Sequence, residues 1–275
     1  MFNILSKQLL AMTSTPELEI NNLNKSFPTK DGELLVLENI NMKVYKNEFA
    51  CIVGASGCGK STLLNIIAGL NQQTSGEILL EGRPVNGPGA DRGMVFQNYT
   101  LYPWLTVAEN IEFGLKLKGI PSLERKERVN HYMEIVGLSK FAQSLPKTLS
   151  GGMKQRTAIA RALANEPDIL LMDEPFGALD AQTKEVLQEF MLQVWKQTQK
   201  TILMITHDVE EAVFLAQRIY VLSSRPGRIK AEVDIPLGVD RDFSVKRTEF
   251  FQLVKQEVLD LLREETLKVI SQEIS

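Results

Sequence analysis

Alternating apolar and polar residues dominate the first part of the chain and predict β-strands. The stretches LEINNLNKSF and ELLVLENINMKVYKNEFACIVG alternate in this way, and the turn signal TKDG lies between them. Strand patterns joined by a short turn favour an antiparallel pairing. We therefore expect an antiparallel β layer here, followed by two short strands in GEILLEG and GMVFQ.

Helical periodicity replaces this alternation between about residues 98 and 165. The segments LTVAENIEFGLKLKG, SLERKERVNHYMEIVGL and MKQRTAIARALAN each have apolar residues at helical spacing, with Gly or Pro between them. Such a block inside a strand-rich chain predicts a helical insertion.

Strands and helices then alternate to the end of the chain. DILLMDEP and TILMITHD read as buried strands, each is followed by a helical pattern, and IKAEVDIPL alternates again after the turn SRPGR. This order predicts an α/β fold with a mostly parallel sheet and helices on its faces. The amphipathic tail EFFQLVKQEVLDLLREETLKVI is expected to bury apolar residues near Phe250, Val254, Val258 and Leu261.

These patterns predict a domain organisation. An N-terminal tail covers residues 1–16, the main domain covers residues 17–240 with the helical insertion at 98–165, and a C-terminal helical extension covers residues 241–275. The tail lacks the pattern of a signal peptide and is expected to be frayed, with Met12 as an alternative start.

Composition narrows the class of protein. The chain is 44% hydrophobic and 24% charged, as in ordinary globular proteins, and its net charge of −3 gives no overall electrostatic reason to bind nucleic acid. No apolar run approaches the ~20 residues of a membrane span. The two cysteines, Cys51 and Cys58, are too close in sequence for a structural disulfide. They fit a reducing, cytoplasmic setting.

A phosphate-binding loop is predicted at residues 54–62, GASGCGKST, which matches the pattern G-x-x-x-x-G-K-[ST] between a strand and a helix. Its glycines let backbone N–H groups wrap phosphates, Lys60 is expected to reach the β and γ phosphates, and the Ser61 hydroxyl to ligate Mg²⁺. The loop amides and the following helix also favour a lowered thiol pKa at Cys58. The predicted nucleotide-binding residues of the loop are Gly54, Ala55, Ser56, Gly57, Cys58, Gly59, Lys60, Ser61 and Thr62.

Polar residues at the ends of predicted strands are candidates for catalysis. Asp173 suits a Mg²⁺ shell, and Glu174 is placed to polarise the attacking water. His207 is either a third member of the same sheet edge or a satisfied histidine at a strand end. Gln97, at the end of GMVFQ, either contacts Mg²⁺ or the attacking water or is an ordinary polar terminus. The predicted catalytic set is Lys60, Gln97, Glu174 and His207, and the predicted metal ligands are Ser61, Gln97 and Asp173.

Aromatic residues leave two alternatives open. Phe27, in the first strand pair, either stacks on a purine base or packs in the core. Tyr99, Tyr102 and Trp104 form either the core of the insertion or a surface for a partner protein.

Together these motifs resemble the ATP-binding subunits of ABC transporters. GASGCGKST, Gln97, LSGGMKQR, ILLMDE, GALD at 177–180 and His207 occur in the order and approximate spacing of that family. DEPFGALDAQT, LSSRPGRI and EFFQLVKQEVLDLLREE are similar to its nitrate, sulfonate and taurine importer branch. The resemblance implies a P-loop nucleotidase core that binds ATP and Mg²⁺ and hydrolyses ATP.

The resemblance also gives LSGGMKQR a role. It implies that Ser150, Gly151 and Gly152, at a helix N-terminus, contact the γ-phosphate held by a second copy of the chain, and that Asp180 belongs to the nucleotide-binding set. It further implies a homodimer on transmembrane permease subunits at the cytoplasmic face of the membrane, served indirectly by an extracytoplasmic solute-binding protein, with no nucleic acid partner. The competing classes are a soluble non-transport ABC ATPase and a small-molecule kinase. Small-molecule kinases lack the signature and GALD stretches.

Overall fold

The computed structural model describes residues 15–30, 32–238 and 240–274. They form two compact units, one containing the residues up to 89 and from 200 onward, the other containing residues 90–199. The predicted N-terminal tail, including Met12, falls outside the described residues apart from positions 15 and 16. No helix in the described part of the chain is both long enough and apolar enough to cross a membrane.

The first unit contains an antiparallel sheet, as the alternating pattern predicts. Its strands are β1 (Pro16–Thr29), β2 (Gly32–Tyr45), β4 (Ser75–Leu80) and β5 (Arg83–Pro84), in the order β2-β1-β4-β5. The strand between them in sequence, β3 (Phe49–Gly54), does not join this layer.

β3 instead lies in a parallel sheet of the same unit. It pairs in parallel with β8 (Thr201–Thr206) on one side and with β9 (Arg218–Leu222) on the other, and β10 (Ile229–Asp234) is antiparallel to β9. The expectation of an antiparallel layer was therefore wrong for this segment. The reason is visible in FACIVG, which is apolar at nearly every position and buried throughout, as strands covered on both faces are.

Helices of the first unit follow strands of this parallel sheet along the chain. They are α1 (Lys60–Ile67), α6 (Val209–Leu215) and the C-terminal α7 (Glu249–Ile274). The predicted apolar face of α7 is confirmed at Val254 and Val258, which are buried, and wrong at Phe250, which is 42% exposed whereas Phe251 is buried. Phe251, Val254 and Val258 share one stripe at helical spacing, and Phe250 lies about 100° away from it.

The second unit contains the predicted helical insertion. Two parallel strands, β6 (Arg92–Val95) and β7 (Ile169–Asp173), are combined with α2 (Val107–Leu117), α3 (Ser122–Ile135), α4 (Gly151–Ala164) and α5 (Ala181–Thr198). β6 ends at Val95, so the prediction that Gln97 ends the strand was wrong. The last residue pair of the ladder is Val95 with Met172, next to the end of β7, and Gln97 lies in the following loop.

Candidate functional site

The phosphate loop joins the buried strand β3 to helix α1. Gly59 caps α1 with a left-handed backbone (φ 107°), and no side chain caps the helix. The first amides of a helix have no partners within the helix and carry the positive end of its dipole. An N-terminus whose cap residue contributes no side chain is suited to bind an anion.

Lys60 places a buried positive charge inside this loop. It is 6% exposed, and its Nζ donates hydrogen bonds to the carbonyl oxygens of Gly54 (2.9 Å) and Ala55 (3.1 Å). Within the described residues no carboxylate forms an ion pair with it. Since a buried ammonium favours a compensating negative charge, the donor set fits a phosphate group. Ser61, the next residue, is exposed and offers a hydroxyl of the kind that Mg²⁺ accepts as a ligand.

Cys58 differs from its expected chemistry. Its side chain is buried, and burial raises the pKa of the thiol despite the opposing effect of Lys60. The prediction of a lowered pKa was therefore wrong, because desolvation of the thiolate outweighs the nearby positive charge. Cys51 is also free and buried.

The side chains of Gln97 and Glu174 both have atoms close to Gly177 in the second unit. Glu174 directly follows β7 with a left-handed backbone (φ 42°), and its carbonyl oxygen accepts a hydrogen bond from the Gly177 N–H (3.0 Å). A Cβ built on Gly177 would lie 3.1 Å from Gln97 Nε2 and 3.8 Å from Glu174 Oε2. The absence of a side chain at position 177 therefore leaves room for the amide of Gln97 beside Gly177, and the carboxylate of Glu174 lies next to the same position. The metal candidate Asp173 is the last residue of β7.

His207 is exposed in a turn that is fixed on both sides. Thr206 Oγ1 donates to Glu211 Oε2 (2.6 Å) and accepts from the Asp208 N–H (3.0 Å). Asp208 in turn caps α6 by accepting from the N–H groups of Glu210 and Glu211. The turn holds the backbone that carries His207. His207 belongs to the first unit and Glu174 to the second. Their placement at a common edge of the sheet therefore stays a prediction.

Ser150 is the N-cap of helix α4. Its Oγ accepts a hydrogen bond from the Met153 N–H at 3.3 Å, and the residue is exposed. Gly151 and Gly152 open the helix in close contact with their surroundings, since a Cβ on either would lie 3.0 Å from a carbon atom of Leu179 or Thr183 respectively. The predicted helix start at this segment is confirmed, and its binding of an anion stays a prediction.

Asp180 is the corresponding N-cap of α5. Its carboxylate accepts from the Thr183 N–H (3.0 Å) and from Thr183 Oγ1 (2.7 Å), and these bonds lower the pKa of Asp180. The carboxylate is thus ionised at neutral pH and occupied in capping its own helix.

The aromatic candidates are half-buried or exposed. Phe27 is half-buried, with Lys25 Nζ 4.5 Å from its ring centroid, so it is not a core residue. Trp104 is 71% exposed and lies 5.7 Å, centroid to centroid, from Tyr102, which also packs against Phe113. The exposed Trp104 favours a surface for a partner over the core of the insertion.

The loop after Gln97 is held by residues that the sequence analysis missed. Arg161 of α4 donates to the carbonyl oxygens of Thr100 (2.7 Å) and Tyr99 (3.2 Å) and to Thr100 Oγ1 (2.9 Å). Asn110 of α2, fully buried, accepts from the Tyr102 N–H and donates to the carbonyls of the same loop. In the sequence, the available signal for Asn110 was a polar residue on the apolar face of a predicted helix.

Comparison with known proteins agrees with this geometry. Residues 37–177 match the family described as "ABC transporter". The nitrate import ATP-binding protein NrtD of Synechocystis sp. is 56% identical over 252 residues, which cover 90% of this chain and 95% of that protein. The taurine import ATP-binding protein TauB of Pelagibacter ubique is 47% identical over 251 residues, covering 90% and 95%.

Solved structures extend the likeness to three dimensions. The dimeric structure of a bacterial ABC transporter cassette superposes with a TM-score of 0.70 at 35% identity and covers 80% of this chain and 100% of that one. A dimeric post-hydrolysis cassette bound to ADP and Pi gives a TM-score of 0.69 at 34% identity, with the same coverage.

Proposed function

This chain belongs to the ABC transporter family, and on that premise we propose that it is the ATP-hydrolysing subunit of an importer for a small oxyanion-bearing solute. The proposed solutes are nitrate, a sulfonate or taurine, and the support for them is the names of relatives such as NrtD and TauB. A non-transport ABC ATPase is not favoured, because these relatives are named as import subunits.

The observation that carries the proposal is the phosphate loop itself. Among the described residues, the partners of the buried Lys60 ammonium are neutral carbonyls, and it lies beside a helix N-terminus that carries no side-chain cap. Both features attract phosphate oxygens. In the proposed complex Lys60 exchanges its hydrogen bonds with Gly54 and Ala55 for bonds to the β and γ phosphates of ATP.

Catalysis is assigned to the polar residues that follow the strands. Glu174 accepts a proton from the water that attacks the γ-phosphate, and the amide of Gln97 orients that water. His207 donates a hydrogen bond to the γ-phosphate. Mg²⁺, when bound by Ser61, Asp173 and Gln97, would neutralise charge on the phosphate oxygens. Glu174 suits its role because its backbone carbonyl is held by the Gly177 N–H, and its carboxylate and the Gln97 amide both lie beside Gly177.

The proposed assembly is a homodimer on transmembrane permease subunits at the cytoplasmic face of the membrane. Each ATP is held by the phosphate loop of one copy and contacted by Ser150, Gly151 and Gly152 of the other. The exposed Ser150 at a helix start supports this role, and the dimeric form of the similar cassettes supports the assembly. The exposed Trp104 is the proposed contact to the permease, and an extracytoplasmic protein delivers the solute.

The test of the ATPase assignment uses two substitutions with different expected results. Lys60→Ala removes the charge that holds the phosphates and should abolish ATP binding. Glu174→Gln keeps the shape of the side chain but removes the base, so ATP binding should persist while turnover falls by about 10²–10⁴. Near-normal turnover of Glu174→Gln would contradict the role of Glu174, and normal ATP binding by Lys60→Ala would contradict the phosphate loop.

The solute class is tested in proteoliposomes that contain the chain with its permease and solute-binding protein. ATP hydrolysis should rise when nitrate, taurine or an alkanesulfonate is added, and should not rise with a neutral sugar. Stimulation by the sugar alone would refute the proposed solute class.

A further inference from the structure

The C-terminal helix α7 buries a carboxylate against the turn between β9 and β10. Glu265 is 3% exposed. Its Oε2 accepts hydrogen bonds from the N–H and the Oγ of Ser224, both at 3.1 Å, and its Oε1 forms an ion pair with Lys230 Nζ at 3.1 Å. One side chain of α7 therefore holds both the beginning of the turn and the strand that follows it.

Lys230 reinforces this connection from the strand β10. Its Nζ also donates to the carbonyl oxygen of Leu261 (2.7 Å) and pairs with Glu264 (2.7 Å). Burial alone would lower the pKa of Lys230, but the hydrogen bonds that it donates to Glu264 and Glu265 more than compensate and raise it. The lysine therefore stays charged at neutral pH.

The same turn contacts the backbone of the phosphate loop. Arg225 Nη2 donates to the carbonyl oxygen of Gly57 at 3.1 Å. Gly227 lies so close to the loop that a Cβ on it would be 2.4 Å from the carbonyl oxygen of Cys58. The turn is also bonded to β2, because the Gly227 N–H donates a hydrogen bond to the Val36 carbonyl (2.8 Å).

The Arg225 contact acts on a peptide plane that shapes the loop. The carbonyl of Gly57 and the N–H of Cys58 belong to one planar peptide unit, so fixing the carbonyl also fixes the direction of the N–H. That N–H closes the loop by donating to the Ala55 carbonyl at 3.3 Å. Gly57 has a left-handed backbone (φ 76°), a conformation that glycine leaves easily, so an external restraint on this plane has an effect.

We propose that Glu265 is a positioning residue for ATP binding: it fixes the turn at residues 223–228, through which Arg225 holds the Gly57 carbonyl and keeps the phosphate loop in its binding conformation. The inference rests on the proposed assignment of residues 54–62 as the phosphate site. It gives the C-terminal helix a role in nucleotide affinity beyond covering the sheet.

The experiment measures the Kd for ATP by calorimetric titration of the full chain, with the melting temperature recorded for every variant. Glu265→Ala and Arg225→Ala should each weaken ATP binding by about threefold to tenfold, since each removes the restraint of one charge-assisted hydrogen bond. Glu264→Ala is the matched control. Glu264 neighbours Glu265 and shares Lys230, but its side chain is 64% exposed, and the two bonds from Ser224 go to Glu265. It should change the Kd by less than about twofold.

The double variant Glu265→Ala/Arg225→Ala decides whether the two residues act in series. If Glu265 acts through Arg225, the double variant should bind ATP no more weakly than the single variant that has the larger loss of affinity. Additive effects on the Kd would overturn the relay. If Glu265→Ala fails to fold, Glu265→Gln and Ser224→Ala, which each remove part of the same contact, take its place with the same expected direction.

A purely structural role of Glu265 and a failure of the proposed function give different results. A lower melting temperature of Glu265→Ala with an unchanged Kd would overturn this inference alone, provided that Lys60→Ala loses ATP binding. Unchanged ATP binding by Lys60→Ala would instead refute the phosphate site on which the inference rests.

Discussion

Replacing Asn110 by alanine should destabilise the loop that presents Trp104. The Asn110 side chain is fully buried. Its Oδ1 accepts from the Tyr102 N–H at 2.9 Å, and its Nδ2 donates to the carbonyl oxygens of Leu105 and Thr106 at 3.0 Å and of Tyr102 at 3.2 Å. A single amide thus closes residues 102–106 onto the start of helix α2.

The magnitude follows from the number of hydrogen-bonding groups lost. The side chain contributes one acceptor and two N–H donors, and each net hydrogen bond is worth about 1 kcal/mol. Alanine also leaves the Tyr102 N–H without its partner, which adds a desolvation cost. We therefore expect a loss of about 2–4 kcal/mol in the free energy of unfolding, or a melting temperature lower by roughly 3–7 °C for a protein of this size.

The measurement is urea unfolding of Asn110→Ala beside a matched control, Asn130→Ala, which alters an exposed asparagine of helix α3. The control should stay within about 0.5 kcal/mol of the wild type. Protease sensitivity at residues 102–106 should increase in Asn110→Ala alone. A stability of Asn110→Ala equal to that of the control would refute the argument that this amide holds the loop.

Further expected outcomes concern the predicted sites. Gly177→Ala should lower the ATPase kcat by about threefold to tenfold at an unchanged ATP Kd, because the new Cβ displaces the Gln97 amide lying 3.1 Å away. Gly87→Ala, whose Cβ would meet no atom within 4 Å, is the control, and equal rates for the two would contradict the prediction. Alkylation of Cys58 near neutral pH should be at least about tenfold slower than that of free cysteine and should accelerate as pH rises, because burial raises the pKa of this thiol. Rapid, pH-independent alkylation would count against it. Mixing Lys60→Ala with Ser150→Arg should restore ATPase activity in the mixed dimer, since both lesions then fall in one site and the other is intact. A mixed dimer without rescue would oppose the shared site.

The fold was predictable where the sequence pattern is local. The mixed α/β class, the antiparallel layer and the helices of the insertion follow from periodicities that depend on neighbouring residues, and the structure confirms them. The resemblance to ABC-transporter ATP-binding subunits is confirmed by the matched family and relatives. The pairing of β3 was not predictable in this way, because its partners β8 and β9 lie about 150 residues further along the chain.

Interactions that depend on packing could not be predicted from the sequence. The thiol pKa of Cys58 depends on burial, and burial opposes the effect of the charge that the motif suggested. Gly177 begins the GALD motif, but the motif did not predict that a side chain there would press on the Gln97 amide. Glu265 lies among other acidic residues of a charged helix, and nothing in its spacing distinguishes it from Glu264, although it is Glu265 that accepts the bonds from Ser224.

Two exposed helix caps, Ser150 and Asp180, differ in what they offer to a nucleotide. A hydroxyl has one donor and two acceptor positions, so the bond from the Met153 N–H uses an acceptor of Ser150 and leaves its O–H free to donate to a phosphate oxygen. An ionised carboxylate has acceptors alone, and those of Asp180 already receive two bonds from Thr183. Phosphate oxygens also repel it. A contact of Asp180 with nucleotide therefore requires a donor such as a ribose hydroxyl, whereas Ser150 is suited to the phosphate itself.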